Sequence, residues 1–499
     1  MASRASLRLA ADAIITRRPA TFTRSYATTT HIAPGTKVTI SISTDAAAAP
    51  AVETKSPAPK KQSTTKERID GYAPYMVATY SRPEVIFNRG EGSCLFDINK
   101  KRYIDFTAGI AVMSLGHNNA DLQHTLFQQS KQLIHCSNLY HNHFTGHLSK
   151  RLVETTKKLG GMHDAASVFI CNSGSEANEA GIKFARKVGK VLDPTGEKIE
   201  IVSFRNAFHG RTMGSLSATH NPKYQEPFAP MVPGFKVGDL NDIGALEGLI
   251  TEKTCSVIVE PIQGEGGVTP ATDEFLIALA KRCREVGALV HYDEIQCGLS
   301  RTGQLWAHSH LPKEAHPDIL TTAKALGNGL PIGATIVNAH VAEKIKIGDH
   351  GTTFGGNPLV CAVAGRAVYH LSRDNLMTGV LARSKVFTER FELFKSRYPE
   401  LVSGWRGKGL ILGLQLTEDP AKIVAECRER GLLVITAGVN TLRFVPPLNI
   451  PFGLINEGLE ILEEAIKATR GKGEEVKAET TATEETKAEE AEAEEVKQE

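Results

Sequence analysis

Short apolar segments alternate with helix-like segments through the middle of the chain. The apolar runs are rich in β-branched residues, and we predict strands at 167–171, 201–204, 256–259, 288–292 and 318–321. Apolar residues recur at helical spacing between several of them, which predicts helices at 176–186, 245–250 and 273–286. Strands that alternate with helices predict an α/β fold with a mainly parallel sheet flanked by helices.

The pattern changes near residue 357, where a long helical stretch over 359–371 is followed by a mixture of helices and strands. A chain of 499 residues is also too long for one ordinary domain. We therefore predict a large domain at 114–356. A smaller α+β domain is expected to combine an N-terminal segment, 67–113, with the C-terminal residues 357–470.

Both ends of the chain have compositions unlike that of a folded domain. Residues 1–26 contain five Arg and the single acid Asp12, which is typical of a mitochondrial transit peptide, so we expect the mitochondrial matrix as the location. Residues 27–66 are rich in Thr, Ala, Pro and Lys and are predicted to be a disordered linker. Residues 471–499 contain eleven Glu and four Lys and are predicted to be an acidic disordered tail.

Overall composition excludes several classes of function. Lys and Arg total 58 against 56 Asp and Glu, so the chain has no global positive charge for nucleic acid. It has no apolar run long enough to cross a membrane. Its eight Cys are too far apart for a CxxC pair, and His143 and His147 lack the motif of a zinc protease, so we expect no bound metal.

Polar residues that could carry chemistry follow the predicted strands. The segment 172–175 joins a strand to a helix, which favours either an anion site at the helix N-terminus or an ordinary N-cap. Asp293 directly follows another strand, where ligands of parallel sheets bind, although it could instead cap the next helix.

Basic residues supply the second set of candidates. Lys324 lies within an apolar run, where burial would lower its pKa and make its amine nucleophilic, although a lysine there could also extend to solvent. Arg211 and Arg443 could each bind a carboxylate with two hydrogen bonds, and two such residues would suit a substrate with two acidic ends. The alternative is structural ion pairing.

Taken together, these motifs resemble the class-III, pyridoxal-phosphate-dependent aminotransferases of fold type I. The resemblance covers about residues 80–470 and rests on motifs in the family's order: NSGSEANE (172–179), FHGRT (208–212), EPIQGEGG (260–267), YDEIQCGLSRTG (292–303), KALGNG (324–329) and TTFGGNP (352–358). It implies a mainly parallel seven-stranded sheet in a large domain that binds pyridoxal 5'-phosphate, plus the smaller α+β domain.

The resemblance also implies a role for each matching residue. Lys324 matches the lysine that bonds to the cofactor and moves a proton, and Asp293 matches the partner of the pyridine nitrogen. The other cofactor contacts it implies are Ser173, Gly174 and Ser175 at the phosphate, Phe208 and Ile295 on the ring faces, and Gln296 near the ring hydroxyl. Thr353 matches a threonine that reaches the phosphate of a neighbouring subunit, which implies a homodimer with shared active sites.

Substrate residues follow from the same resemblance. Arg211 and Arg443 match arginines that bind α-carboxylates, Glu265 matches the acid that pairs with Arg443, and Tyr80 and Thr352 match further substrate contacts. Ile110 stands where enzymes acting on free ornithine have Tyr.

The aliphatic side chain at position 110 suits an acylated nitrogen. The expected reaction is therefore transamination between N2-acetylornithine and 2-oxoglutarate, a step of arginine biosynthesis. Ornithine, 4-aminobutyrate and succinylornithine stay open as alternative amino donors. A catalytically silent relative that serves as a scaffold is a further alternative.

Overall fold

The computed structural model describes residues 63–470 of the chain. The predicted transit peptide at 1–26, most of the predicted linker and the acidic tail at 471–499 lie outside the described residues. Among residues 63–470, no helix is both long enough and apolar enough to cross a membrane.

The strands group into a large sheet, two small sheets and a short hairpin. In chain order they are β1 Phe87–Glu91, β2 Cys94–Asp97, β3 Arg102–Asp105, β4 Ala165–Cys171, β5 Glu200–Phe204, β6 Phe235–Gly238, β7 Thr254–Val259, β8 Ile262–Gln263, β9 Thr269–Pro270, β10 Leu289–Asp293, β11 Ile319–Thr322, β12 Gly333–Asn338, β13 Val402–Lys408, β14 Ile411–Leu416, β15 Leu432–Leu433, β16 Ile435–Ala437 and β17 Thr441–Phe444. Every strand predicted from the apolar runs is confirmed, with ends shifted by no more than a few residues.

The large sheet has seven strands in the order β4-β12-β11-β10-β7-β5-β6. Strands β6, β5, β7, β10 and β11 pair in parallel, and β12 runs antiparallel to both of its neighbours. The predicted mainly parallel, seven-stranded sheet is therefore confirmed. Strands β7, β10, β11 and β12 are buried along their whole length, which explains their near-continuous apolar sequences.

Helices separate most of these strands. They are α1 Thr65–Tyr72, α2 Ala108–Ala111, α3 Ala120–Ser130, α4 His143–Lys158, α5 Gly174–Leu192, α6 Met213–Ala218, α7 Pro222–Gln225, α8 Leu246–Leu249, α9 Asp273–Val286, α10 Ala339–Lys344, α11 Pro358–Leu371, α12 Asp374–Arg397, α13 Ala421–Glu429 and α14, which includes 452–470. Thr272 caps the N-terminus of α9, and Gly287, with φ of 67°, ends it in the left-handed conformation that glycine adopts readily.

The two small sheets draw on both halves of the chain. One has the order β1-β2-β3-β15, so a strand from residues 432–433 pairs with the N-terminal strand β3. The other, β13-β14-β17-β16, carries Arg443 on β17. The pairing of β15 with β3 is compatible with a small domain built from both ends of the chain, and its boundaries stay a prediction.

One predicted boundary is wrong. The linker was expected to extend to residue 66, but α1 begins at Thr65. Thr64 and Glu67 form a capping box, in which each side chain accepts a hydrogen bond from the other residue's backbone amide. This reciprocal pair stabilises the first turn of the helix, so the folded chain extends two residues into the predicted linker.

Candidate active site

A cavity of about 340 Å³ lies at the carboxyl ends of β10 and β11. All the predicted cofactor residues except Thr353 line it: Ser173, Gly174, Ser175, Phe208, Asp293, Ile295, Gln296 and Lys324. Residues spread over 150 positions of sequence therefore meet in one place, as expected for strand-end residues of a parallel sheet.

The N-terminus of α5 forms one wall of this cavity. Ser173 is the N-cap of the helix, and its hydroxyl accepts a hydrogen bond from the Glu176 amide at 3.1 Å. Gly174 and Ser175 contribute first-turn amides, which have no carbonyl partner within a helix and suit an anion. The predicted N-cap is confirmed, and it is compatible with an anion site.

Gly174 also fixes the distance between α5 and Ile295. A Cβ atom at position 174 would lie 2.9 Å from the Ile295 Cδ1 atom, closer than carbon atoms pack. Only glycine lets the isoleucine side chain reach this wall of the cavity without displacement.

Asp293 ends β10 and is held by three donors. Its Oδ2 atom accepts hydrogen bonds from Asn178 at 2.7 Å and from His209 Nδ1 at 2.8 Å, and its Oδ1 atom accepts one from the Ile295 amide at 3.0 Å. Burial opposes ionisation of this carboxyl, but the hydrogen bonds from His209, Asn178 and the amide hold its pKa below the usual range. The carboxylate is therefore negatively charged at neutral pH.

Lys324 follows β11 and opens a short 3₁₀ turn, Lys324–Leu326, with φ of 35°. Burial, together with the positive charge of Arg443, lowers the pKa of the Lys324 amine, and the negative charge of Asp293 acts in the opposite direction. A larger fraction of this amine is unprotonated than for an exposed lysine, which favours nucleophilic chemistry.

Glu260 joins two loops that border the cavity. One carboxylate oxygen accepts a hydrogen bond from the Phe208 amide at 2.9 Å, and the other accepts one from the Gly264 amide at 3.1 Å. Burial raises the pKa of Glu260 to about 7. The same loop packs tightly on Gln296, because a Cβ atom at position 264 would lie 2.3 Å from its amide group.

Arg443 lines a second cavity of about 560 Å³ and contacts Gln296, which lines the first. Its guanidinium is buried, donates to Gln296 Oε1 at 3.2 Å, and pairs with Glu265 Oε2 at 2.9 Å. Gln296 lines the first cavity, whereas Glu265, Tyr80 and Ile110 line the second. The structure thus brings four of the predicted substrate residues together, at Tyr80, Ile110, Glu265 and Arg443.

Ile110 occupies a strained turn. Residues Ala108–Ala111 all have positive φ, and Ile110 itself is at φ 61° and ψ 59°. A β-branched residue rarely adopts this left-handed conformation. The turn is anchored by Asp105, whose Oδ1 atom accepts hydrogen bonds from the amides of Thr107 and Ala108 at 2.9 Å. Ile110 is 45% exposed and faces the second cavity.

The remaining predicted residues line neither cavity. Arg211 lies 3.7 Å from the centre of the Tyr224 ring, and its amide donates to the Ser175 hydroxyl. Thr352 accepts a hydrogen bond from the Asn172 side chain at 3.0 Å. Thr353, the predicted contact to a neighbouring subunit, is exposed.

Sequence reasoning left out several residues of the site. His209 and Asn178 hold Asp293, Glu260 clamps two loops, and Tyr224 contacts Arg211. His209, Asn178 and Glu260 lie within the motifs that indicated the family, and this position could have marked them as candidate site residues. Tyr224 lies outside those motifs, and no pattern in the sequence marks it.

The donor set fits pyridoxal phosphate. Asp293 offers an anionic oxygen for a protonated pyridine nitrogen, and Lys324 offers an amine with a lowered pKa for the aldehyde. Gly174 and Ser175 offer helix N-terminal amides for the phosphate, in a wall that leaves no room for a Cβ atom at position 174.

Comparison with known proteins adds an independent finding. The family model for class-III aminotransferases matches residues 75–466. The chain is 67% identical over 416 residues to the mitochondrial acetylornithine aminotransferase of Neurospora crassa, which covers 83% of this chain and 90% of that protein. It is 49% identical over 400 residues to the mitochondrial acetylornithine aminotransferase of Saccharomyces cerevisiae, covering 79% of this chain and 94% of that protein.

Solved structures show the same likeness. The N-acetylornithine aminotransferase of Stenotrophomonas maltophilia is 36% identical, with a TM-score of 0.69 over 81% of this chain and 100% of that one. The ornithine aminotransferase of Toxoplasma gondii is 31% identical, with a TM-score of 0.77 over 83% of this chain and 97% of that one.

Proposed function

The chain belongs to the class-III aminotransferases. We propose that it transfers an amino group between N2-acetylornithine and 2-oxoglutarate, which is a step of arginine biosynthesis. The fold is fold type I, and the enzyme is an aminotransferase that depends on pyridoxal phosphate. The substrate assignment is supported by the names of the fungal relatives and by the aliphatic residue Ile110 at the second cavity.

When bound, pyridoxal phosphate supplies an aldehyde that takes up the amino group and a ring that accepts carbanion charge. In our proposal, Lys324 moves the proton to and from the carbon that bears the transferred amino group, which is Cδ of N2-acetylornithine and Cα of glutamate, and Asp293 would hold a proton on the ring nitrogen. Phe208 and Ile295 would contact the ring, and Gln296 would contact its hydroxyl. Ser173 caps α5, whose first-turn amides would hold the phosphate.

One observation carries the assignment of the two substrates: the buried Arg443 is paired with Glu265. Paired in this way, the guanidinium is neutralised and tolerates the uncharged aliphatic chain of the acylated donor beside it. Released from Glu265, it binds a carboxylate of glutamate or 2-oxoglutarate. Arg211, held on the Tyr224 ring, is the proposed site for the α-carboxylate of the acylated amino donor.

Half-reaction kinetics test this function. The purified enzyme, loaded with cofactor, is mixed with N2-acetylornithine, succinylornithine, ornithine or 4-aminobutyrate, and the rate of cofactor amination is followed by absorbance. We expect the highest specificity constant with N2-acetylornithine. A clear preference for free ornithine or 4-aminobutyrate would overturn the substrate assignment, and reaction with none of the four would favour a silent relative.

Replacing Ile110 by Tyr should move specificity toward ornithine. A phenol at this position gives the free α-amino group of ornithine a polar partner and fills space that the acyl group needs. Tyr lacks β-branching, so the positive φ is no more costly than for Ile. We expect the ratio of specificity constants, ornithine over N2-acetylornithine, to rise about ten-fold or more.

The matched control is Ile110→Phe, which has the same bulk without the hydroxyl. It should lower activity on N2-acetylornithine without a gain on ornithine. A gain of equal size for Phe and Tyr would show that bulk alone sets the preference.

We further propose a homodimer in which Thr353 completes the active site of the partner subunit. Its support is the exposure of Thr353 and the absence of this residue from the lining of the cavity of its own chain. Phe354 beside it is also exposed, at 65%. In the proposed dimer, this aromatic side chain would be buried against the partner subunit, which would favour association.

A subunit-mixing experiment tests the shared site. Lys324→Ala and Thr353→Ala homodimers are each expected to be nearly inactive. Refolded together at equal amounts, they should recover about a quarter of wild-type activity, because half of the dimers have one intact site of two. Mixtures that stay inactive although light scattering shows dimers would place Thr353 in its own subunit's site.

The proposed location is the mitochondrial matrix. Support comes from the Arg-rich composition of residues 1–26 and from the word mitochondrial in the names of the fungal relatives. A fluorescent fusion of the full chain should enter mitochondria and be protected from protease in intact organelles. The same fusion without residues 1–26 should stay outside, and import of the shortened chain would contradict the assigned presequence.

A further inference from the structure

A chain of buried polar groups lies behind Asp293, on the face of the large sheet that packs against α5. His291 and Asp293 lie two residues apart on β10, so their side chains point to the same face. Thr321 on β11 lies in register with Asp293, and Asn178 comes from α5. All four side chains are buried.

The hydrogen bonds of Asn178 fix the orientation of its amide. Its nitrogen donates to Asp293 Oδ2 at 2.7 Å and to the His209 carbonyl at 2.7 Å. Its oxygen accepts from the Thr321 hydroxyl at 2.7 Å. A flipped amide would turn its oxygen toward both a carboxylate and a carbonyl, so only one orientation is compatible with these neighbours.

The orientation of Asn178 in turn fixes the protons of Thr321 and His291. An amide oxygen cannot donate, so the single hydroxyl proton of Thr321 lies on the bond to Asn178. The same hydroxyl can then only accept from His291 Nε2, which lies 3.3 Å away. Burial lowers the pKa of His291 to about 3, so the ring is neutral and has one N–H. Because Thr321 can only accept, this proton lies on Nε2.

Every donor in this chain therefore points toward the Asp293 carboxylate: His291 donates to Thr321, Thr321 to Asn178, and Asn178 to Asp293. Hydrogen bonds in series within a protein interior strengthen one another. The Asp293 Oδ1 atom accepts only the Ile295 amide among the described residues, so it keeps capacity for one more donor.

Helix α5 packs closely enough on the large sheet for these hydrogen bonds to form. A Cβ atom at position 181 would lie 2.4 Å from His291 Cε1. Gly181 lies three residues after Asn178 and thus on the same side of the helix. Glycine at this position lets the helix sit directly on the sheet, which brings the Asn178 amide within reach of both Thr321 and Asp293.

We propose that Thr321 is a positioning residue that orients Asn178 and thereby keeps the Asp293 carboxylate turned and ionised for the protonated ring nitrogen of the cofactor. This inference rests on the proposed role of Asp293. Thr321 does not line the cavity, and its hydroxyl donates its proton to Asn178, so in this inference it acts on Asp293 through Asn178.

The neighbouring residue offers a matched control. Thr322 is also fully buried and lies on the same strand, but its side chain points to the opposite face of the sheet. Its hydroxyl has no hydrogen-bond partner among residues 63–470. Thr322→Val makes the same replacement of a hydroxyl by a methyl group as Thr321→Val, but it leaves the hydrogen bonds from His291 to Asp293 in place.

The experiment compares Thr321→Val, Thr321→Ser and Thr322→Val with the wild-type holoenzyme. The main readout is the ¹⁵N chemical shift of cofactor labelled at the ring nitrogen, which reports its protonation. The cofactor dissociation constant and kcat are measured beside it. For Thr321→Val we expect a shift toward the unprotonated nitrogen and a kcat about five-fold lower.

Thr321→Ser keeps the hydroxyl and should stay close to wild type in all three measurements, and Thr322→Val should leave the ¹⁵N shift and kcat unchanged. Wild-type values of the ¹⁵N shift for Thr321→Val would overturn the inference, as would an equal change for Thr322→Val. If Thr321→Val does not fold, a ¹⁵N shift in Thr321→Ser equal to that of unprotonated cofactor would overturn it too.

Failure of the underlying function gives a different result. An Asp293→Asn variant that keeps both the wild-type ¹⁵N shift and wild-type activity would remove the proposed role of Asp293 itself. The inference about Thr321 fails alone when Asp293→Asn loses activity and the protonated nitrogen but Thr321→Val does not.

Discussion

Replacing Lys324 by Ala should reduce kcat by about a thousand-fold or more, because in our proposal the side chain is both the nucleophile and the group that moves the proton. Its place beside Asp293 in the cavity, and the lowered pKa of its amine, are the observations behind this expectation. Single-turnover absorbance with N2-acetylornithine measures the effect directly. The variant should also lose the visible absorbance of the covalently attached cofactor while it still binds cofactor through the N-terminus of α5.

Lys198 provides the control for removing a buried lysine. Burial also lowers the pKa of its amine, but the amine donates to the carbonyls of Glu252 and Val286 at 2.9 and 2.7 Å, and Lys198 does not line the cavity. Lys198→Met should lower the free energy of unfolding without changing kcat. Comparable loss of kcat in both variants would show that burial, rather than chemistry, explains the effect at position 324.

Much of this site could be predicted because strand ends of a parallel sheet meet at one edge. Asp293 ends β10 and Lys324 follows β11, the adjacent strand, so two residues that each follow an apolar run had to lie close together. The apolar runs themselves were readable because these strands are buried on both faces.

The direction of β12 could not be read from its composition, since a buried strand looks the same in both directions. Its direction follows from the short connection over 323–332, which is too brief for the crossover that a parallel pairing requires. The contacts behind Asp293 could not be predicted from the sequence either. The contact of Thr321 with Asn178 depends on strand register and on the close packing of α5, and the local sequence determines neither.

The strained turn at Ile110 shows a different limit. Sequence comparison marked the position because an aliphatic residue replaces Tyr, but nothing in the run 108–112 predicts four successive positive φ angles. Local propensity disfavours this conformation, and the Asp105 hydrogen bonds stabilise it from outside the run. Strain of this kind is found where a side chain must be held toward a ligand.

Replacing Arg443 by Ala should separate the two half-reactions. The guanidinium is the buried cation that binds glutamate or 2-oxoglutarate in our proposal, so its loss should lower the specificity constant for glutamate about 100-fold or more. The half-reaction with N2-acetylornithine uses Arg211 instead and should change far less. Rapid-mixing absorbance with each amino donor alone measures both rates in the same preparation.

Glu265→Gln gives the complementary result. Without the carboxylate, Arg443 keeps its charge and its hydrogen bond to Gln296 but lacks an ion-pair partner when the acylated donor is bound. Glutamate should therefore react at close to the wild-type rate, while N2-acetylornithine should react more slowly, since an unpaired buried charge next to the aliphatic chain of this donor is costly. Equal losses in both half-reactions for Arg443→Ala, or a glutamate-specific loss for Glu265→Gln, would contradict the division of labour between Arg443 and Arg211.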